Sequence, residues 1–91
     1  MDTESHSSFS ESLQDRNYYL VKDYLHELGF LPSQYYIKDY QNSIEVDFDD
    51  NQAVFYIIED IKKTKYIEHF DVDYKKPANS RRHTAVFNFT Q

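Results

Sequence analysis

Two short acidic patterns are the parts of this sequence that could most directly do chemistry. Asp47-x-Asp49 and Asp71-x-Asp73 each place two carboxylates two residues apart, and such oxygen ligands are the ones that Mg²⁺ and Ca²⁺ prefer. Short patterns of this kind arise often by chance in an acidic chain. The first pattern also lacks the glycine and the twelfth-position glutamate of an EF-hand loop. The sequence therefore predicts no metal site and no cofactor.

Other patterns of known catalytic chemistry are also absent from the sequence. The chain has one glycine, too few for the usual glycine-rich phosphate loops, and no cysteine for a thiolate or a disulfide. It contains neither G-x-S-x-G nor H-E-x-x-H. His69 shares a strand face with Asp71, and His83 follows nearby, but two imidazoles without fixed geometry do not define a catalytic site. We therefore expect that the protein is not an enzyme.

The charges are sorted along the chain. Residues 1–74 contain all 16 acidic residues and six bases, whereas residues 75–91 contain four bases and no acid. The net charge of −6 disfavours binding to phosphate and favours attraction to a basic protein surface. The four bases, Lys75, Lys76, Arg81 and Arg82, lie in or next to a segment with turn residues, which predicts a basic loop over residues 75–82. This pattern favours a protein partner and makes direct nucleic-acid binding the weaker hypothesis.

Hydrophobic periodicity predicts two helices. The first begins near Ser12, where Ser12-x-x-Asp15 resembles a capping box, and ends at Gly29. The second follows N-cap candidates at residues 49–51 and ends in a lysine-rich turn. Its β-branched residues also suit a strand, but their helical spacing favours a helix. The apolar stripes are Leu13, Leu20, Val21, Tyr24, Leu25 and Leu28 in the first helix, and Val54, Ile57, Ile58 and Ile61 in the second.

Alternating apolar and polar residues predict four strands, at residues 34–40, 44–49, 69–74 and 84–90. The order α-β-β-α-β-β predicts an α+β two-layer sandwich, with a four-stranded, mainly antiparallel sheet and both helices on one face. Moving the last strand to the front would give the β-α-β-β-α-β order, so a permuted ferredoxin-like topology is one candidate. We expect a disordered polar tail at residues 1–10 and one domain at residues 11–91. Because neither a signal peptide nor a membrane span is apparent, the predicted location is the cytoplasm, or a host cytoplasm if the gene is viral.

The predicted partner-binding residues lie mainly on the open face of that sheet. Polar residues are expected there in any one-sided sheet, but Asp is disfavoured in strands, so a functional acidic face is the specific alternative. Nine tyrosines are also too many for one small core, and tyrosine is a favoured residue in protein interfaces. The predicted acidic face comprises Glu45, Asp47, Asp49, Asp71 and Asp73, with His69, Val86 and Asn88 beside them, and the predicted aromatic contacts are Tyr18, Tyr36 and Tyr40.

The leading hypothesis is a small acidic domain that occupies the basic, nucleic-acid-binding surface of a protein partner by imitating nucleic-acid charge. A protein that acts in this way is a DNA mimic. Small acidic domains of this type suit a phage or mobile-element inhibitor of a host nuclease or CRISPR effector, although no sequence motif supports this step. One alternative is a single-stranded nucleic-acid-binding module that uses sheet aromatics and the basic loop. Another is a homo-oligomeric structural or regulatory module, such as a homodimer in which the basic loop of one copy meets the acidic face of another.

Overall fold

The computed structural model describes residues 13–90, so the predicted tail and the capping residue Ser12 lie outside the described residues. The helices and strands are α1 (Leu13–Glu27), β1 (Tyr35–Asp39), β2 (Ser43–Phe48), α2 (Asn51–Ile61), β3 (Phe70–Lys75) and β4 (His83–Phe89). Short 3₁₀ turns at Pro32–Gln34 and Lys65–Glu68 precede β1 and β3. The predicted α+β class and the predicted element order are confirmed.

The four strands form one antiparallel sheet in the order β1-β2-β4-β3. Strands β2 and β3, which α2 connects, both run antiparallel to β4 and are therefore parallel to each other. Because β4 lies between them, β2-α2-β3 is a split β-α-β unit. This order agrees with the permuted ferredoxin-like topology.

Both helices begin or end where local sequence signals predicted. Gly29 has φ +92°, and its N–H donates to the His26 carbonyl at 3.0 Å. The Phe30 N–H donates to the Leu25 carbonyl at 3.0 Å, which completes a Schellman ending of α1. At the start of α2, the Asp50 carboxylate accepts a hydrogen bond from the backbone N–H two residues later, at 2.9 Å.

The core lies between the two helices and one face of the sheet. Phe87, on the inner strand β4, makes edge contacts with Tyr24 of α1 and Phe70 of β3, at ring-centroid distances of 6.4 and 5.6 Å. The buried strand residues alternate with open-face residues, as predicted. The buried residues from the strands on the helix side are Ile44, Val46, Phe48, Phe70, Val72, Ala85 and Phe87.

Strand β3 differs from its prediction at both ends. His69 has φ −108° and ψ −25°, and its N–H donates to the Tyr66 carbonyl. It therefore ends the 3₁₀ turn, and its predicted place on a strand was wrong. Lys75 was predicted in the basic loop but is the last residue of β3, paired with Thr84. Its side chain continues the polar alternation of the strand and contacts Glu45 on the open face.

Candidate protein-binding surface

Three rows of side chains cross the open face of the sheet, because the register aligns residues on all four strands. From β1 to β3, the first row is Tyr36, Asp47, Thr84 and Lys75, the second is Lys38, Glu45, Val86 and Asp73, and the third includes Ser43, Asn88 and Asp71. The register therefore brings four of the five predicted carboxylates onto one face, whereas Asp49 lies just after the end of β2. The contacts within these rows decide how much of their charge faces a partner.

Asp47 is buried although it lies on the open face, with only 4% of its surface exposed. One carboxylate oxygen accepts a hydrogen bond from the Thr84 hydroxyl at 2.7 Å, and the other lies 3.3 Å from Lys38 Nζ. The hydrogen bond to Asp47 and the negative charge of that carboxylate raise the pKa of Lys38. The charge of Asp47 is thus compensated inside the sheet.

Replacing Thr84 with valine is expected to lower the free energy of unfolding by about 1–2 kcal/mol. Valine removes the donor of the buried hydrogen bond to Asp47, while Lys38 still contacts the other carboxylate oxygen. Urea denaturation followed by circular dichroism would measure the loss. In an Asp47→Asn background the cost of the same substitution is expected to shrink, and an unchanged cost would contradict the coupling of the two side chains.

Most cations of the predicted basic loop contact groups of the same chain. Lys75 Nζ lies 3.2 Å from a Glu45 carboxylate oxygen, and Arg82 Nη1 lies 3.5 Å from an Asp49 oxygen. Lys76 Nζ donates to a backbone carbonyl within the loop. Because three of the four predicted cations have such contacts, the loop offers reduced charge to phosphate or to the acidic face of another copy.

The predicted aromatic contacts have unequal exposure. Tyr18, the predicted contact on α1, packs against the core, whereas its neighbour Tyr19 is exposed. Tyr36 is exposed on β1, with the Arg82 guanidinium 6.0 Å from its ring centroid. Tyr40 is exposed just beyond the same strand. Tyr36 and Tyr40 therefore belong to the β1 edge of the sheet, away from Asp71 and Asp73 on β3.

An exposed aromatic cluster lies beside β3 and was not predicted from the sequence. Phe55, Tyr74 and His83 form this β3-edge cluster, and Phe55 is 48% exposed. The ring centroids of Phe55 and Tyr74 are 5.0 Å apart, and the Tyr74 ring stacks on His83 at 6.0 Å. The Tyr74 hydroxyl lies 2.7 Å from His83 Nδ1. The adjacent residues Phe55 and Tyr56, on the polar side of α2, are the feature of the sequence that could have indicated this cluster.

Two exposed carboxylates lie on the same strand but on the open face of the sheet, whereas the Tyr74 side chain lies on the helix side. Asp71 and Asp73 project from the open face, about 6.6–6.8 Å apart along the strand. Asp73 accepts a hydrogen bond from the Asn88 amide at 3.1 Å, and this neutral donor leaves the negative charge in place. Within residues 13–90, neither carboxylate forms a salt bridge with Lys, Arg or His. Of the five predicted acidic residues, these two keep their charge uncompensated.

A cleft of about 380 Å³ lies where the turn after α1 meets the start of α2. Its lining residues are Phe30, Ser33, Gln34, Phe48, Asp49, Asp50 and Ala53. Both of its carboxylates have structural partners, because Asp50 caps α2 and Asp49 pairs with Arg82. The two carboxylates of this cleft therefore stabilise the fold.

Comparison with known proteins adds no relative from which a role could be transferred. No protein-family model matches the chain, and no curated protein or solved structure shows significant similarity to it. Within residues 13–90, no group of three or more His, Cys, Asp or Glu side chains is arranged to hold a metal ion. In the same part of the chain, no helix has the length and apolar character needed to cross a membrane.

Proposed function

We propose that the protein is a small acidic binding domain that occupies a basic, nucleic-acid-binding surface of a protein partner through its β3 edge. The observation that carries this proposal is the combination of the β3-edge cluster with two uncompensated carboxylates, Asp71 and Asp73, on the same strand. Elsewhere on the open face, Glu45 and Asp47 are engaged by lysines of the same chain. The outer edge formed by β3 therefore presents uncompensated carboxylates on one face of the sheet and exposed aromatic rings on the other, and a partner that covers this edge can contact both.

The two kinds of side chain have different roles in such an interface. Exposed aromatic rings supply large, rigid contact areas, which is why a few aromatic residues often dominate binding energy. Carboxylates on the other face of the same outer strand steer a basic partner toward this edge and disfavour acidic partners. A partner that binds nucleic acid offers the required basic surface. Occupying that surface would block the nucleic acid, which is how an inhibitor of a nuclease or of a CRISPR effector would act.

The partner can be sought directly in a host lysate. The tagged protein, incubated with nuclease-treated lysate and washed at increasing salt, is expected to retain one nucleic-acid-processing protein, identified by mass spectrometry. Release as salt rises is expected because an interface with charged contacts weakens with ionic screening. Loss of every partner after nuclease treatment would contradict the proposal and favour nucleic-acid binding.

A double variant, Asp71→Asn with Asp73→Asn, neutralises both carboxylates. We expect it to associate with the captured partner about tenfold more slowly at low salt. Surface plasmon resonance over a range of salt concentrations would measure this change. The matched control is Asp49→Asn with Asp50→Asn, which removes the same formal charge, while asparagine still caps α2. Equal effects of the two pairs would indicate attraction by net charge alone and would contradict a β3-edge interface.

A further inference from the structure

Strand β1 is an outer strand of the sheet, and its ladder with β2 determines which backbone groups point outward. The Tyr40 N–H donates to the Ser43 carbonyl at 2.9 Å, in line with the β1–β2 register, so this is a hydrogen-bonded pair. Hydrogen-bonded and non-hydrogen-bonded pairs alternate along an antiparallel ladder. Tyr36 and Lys38 therefore bond to β2. The residues whose N–H and C=O groups point away from β2 are Tyr35, Ile37 and Asp39.

These outward groups match those of a second copy turned by 180°. With a two-fold axis at Ile37, Ile37 lies opposite its symmetry mate, and Tyr35 lies opposite Asp39 of the second copy. Every outward-pointing residue of β1 then faces an outward-pointing residue, so all of these residues form hydrogen-bonded pairs. A shift of the axis by one residue in either direction would form fewer hydrogen-bonded pairs between the two strands.

The side chains on the open face are also complementary in this arrangement. Tyr36 lies opposite Lys38 of the second copy, in a non-hydrogen-bonded pair where side chains approach closely. The exposed tyrosine ring can then cover the aliphatic part of this lysine, whose ammonium group stays near Asp47 of its own chain, and the contact occurs twice across the axis. Ile37 meets its symmetry mate on the helix side, where part of its apolar surface is still exposed. The strand carries one basic and one acidic residue, so the two copies do not repel each other there.

The other outer strand lacks this complementarity. The residues of β3 that point away from β4 are Phe70, Val72 and Tyr74, and the antiparallel register that pairs all three, centred at Val72, places Asp71 opposite Asp73 of the second copy. Like charges directly opposite each other destabilise a strand pair, and charged residues are a common protection of outer strands. Of the two open edges, β1 is therefore the one suited to a second copy.

We propose that two copies of this domain pair antiparallel through β1, across a two-fold axis at Ile37, and form one continuous eight-stranded sheet. The pairing leaves β3 at both outer ends of the joined sheet. The dimer is therefore independent of the β3-edge function proposed above, and either proposal can fail without the other.

Amide hydrogen exchange measured by NMR over a range of protein concentrations tests the interface residue by residue. At low concentration the amides of Tyr35 and Ile37 are expected to exchange rapidly, while those of Tyr36 and Lys38 are protected by β2. At high concentration the first group is expected to gain at least about tenfold protection as dimer forms, with sedimentation equilibrium reporting the dimer in parallel. A monomer at all concentrations up to about 1 mM, or a dimer without this protection, would overturn the proposal.

A matched pair of substitutions provides a second test. Tyr36→Lys places a lysine opposite Lys38 of the second copy, while its neighbour Asp47 in the same chain favours the folded monomer. The dissociation constant of the dimer is expected to rise at least about tenfold. Tyr19→Lys is the control, because Tyr19 is 60% exposed on α1 and Tyr36 is 61% exposed on β1. An equal effect of the two substitutions, or no effect of Tyr36→Lys, would contradict pairing through β1.

Discussion

Replacing Phe87 with alanine is expected to lower the free energy of unfolding by about 3–5 kcal/mol. The side chain is fully buried on β4, and its ring contacts Tyr24 of α1 and Phe70 of β3. Alanine would leave a cavity where a helix, an inner strand and an outer strand meet, and relaxation of the surroundings would fill it only in part. For a domain of this size, each kcal/mol corresponds to about 4–8 °C in Tm, so thermal unfolding would show the effect clearly.

The matched control is Phe55→Ala, the same substitution in the exposed β3-edge cluster. Because Phe55 lies on the outer side of α2, its loss is expected to change the free energy of unfolding by less than about 0.5–1 kcal/mol. Under the proposed function it would weaken partner binding by at least about tenfold. A large loss of stability in this variant would show that Phe55 belongs to the core. A stable variant with unchanged partner affinity would exclude Phe55 from the interface.

Features set by neighbouring residues could be predicted from the sequence. The stripe containing Val21, Tyr24 and Leu25 has helical spacing, and these residues are buried as expected. The end of α1 depended on one glycine at the position where a left-handed residue is needed. In β2, strict alternation identified the apolar face, because a strand covered on one side requires it. Each of these signals lies within a few residues of the structure that it predicts.

The charge state of the candidate surface could not be predicted in the same way. Asp47 is compensated by Lys38 from β1 and Thr84 from β4, and Thr84 lies 37 residues away in the chain. Which residues meet across the sheet depends on strand order and register, which local alternation does not determine. The sequence therefore indicated a uniform acidic face, whereas the register divides it into compensated and uncompensated parts. The contact between Phe55 and Tyr74 likewise depends on how α2 packs beside β3.

A second large effect on stability is expected from removing the hydroxyl of Tyr24. This buried residue of α1 donates a hydrogen bond to Asp60 of α2 at 2.8 Å and so connects the two helices. Tyr66 donates in the same way to Glu27 at 2.8 Å, connecting the turn before β3 to α1. Because both acceptors are carboxylates, Tyr24→Phe is expected to cost about 1.5–3 kcal/mol at pH 7, measured by urea denaturation.

The same hydrogen bonds predict how stability depends on alkaline pH. Burial first, then the hydrogen bond and the nearby carboxylate charge, raise the pKa of Tyr24 above its ordinary value of 10.0 and raise the pKa of Tyr66 to about 12. An unfolded chain therefore loses these phenolic protons at lower pH than the folded protein does. The stabilisation is fully present below about pH 10 and, for Tyr66, is lost as the pH rises toward 12.

The Tyr66→Phe variant isolates this pH dependence. Its deficit in unfolding free energy relative to the unmodified protein is expected to be constant below about pH 9 and to shrink between pH 10 and 12, because only the unmodified protein then loses the tyrosine contribution. Urea denaturation at several pH values would measure the difference, in which the titration of the other side chains largely cancels. Tyr19→Phe, at an exposed position, is expected to follow the unmodified protein throughout. A Tyr66→Phe deficit that stayed constant to pH 12 would mean that neither burial nor Glu27 raises the pKa of this phenol in the folded protein.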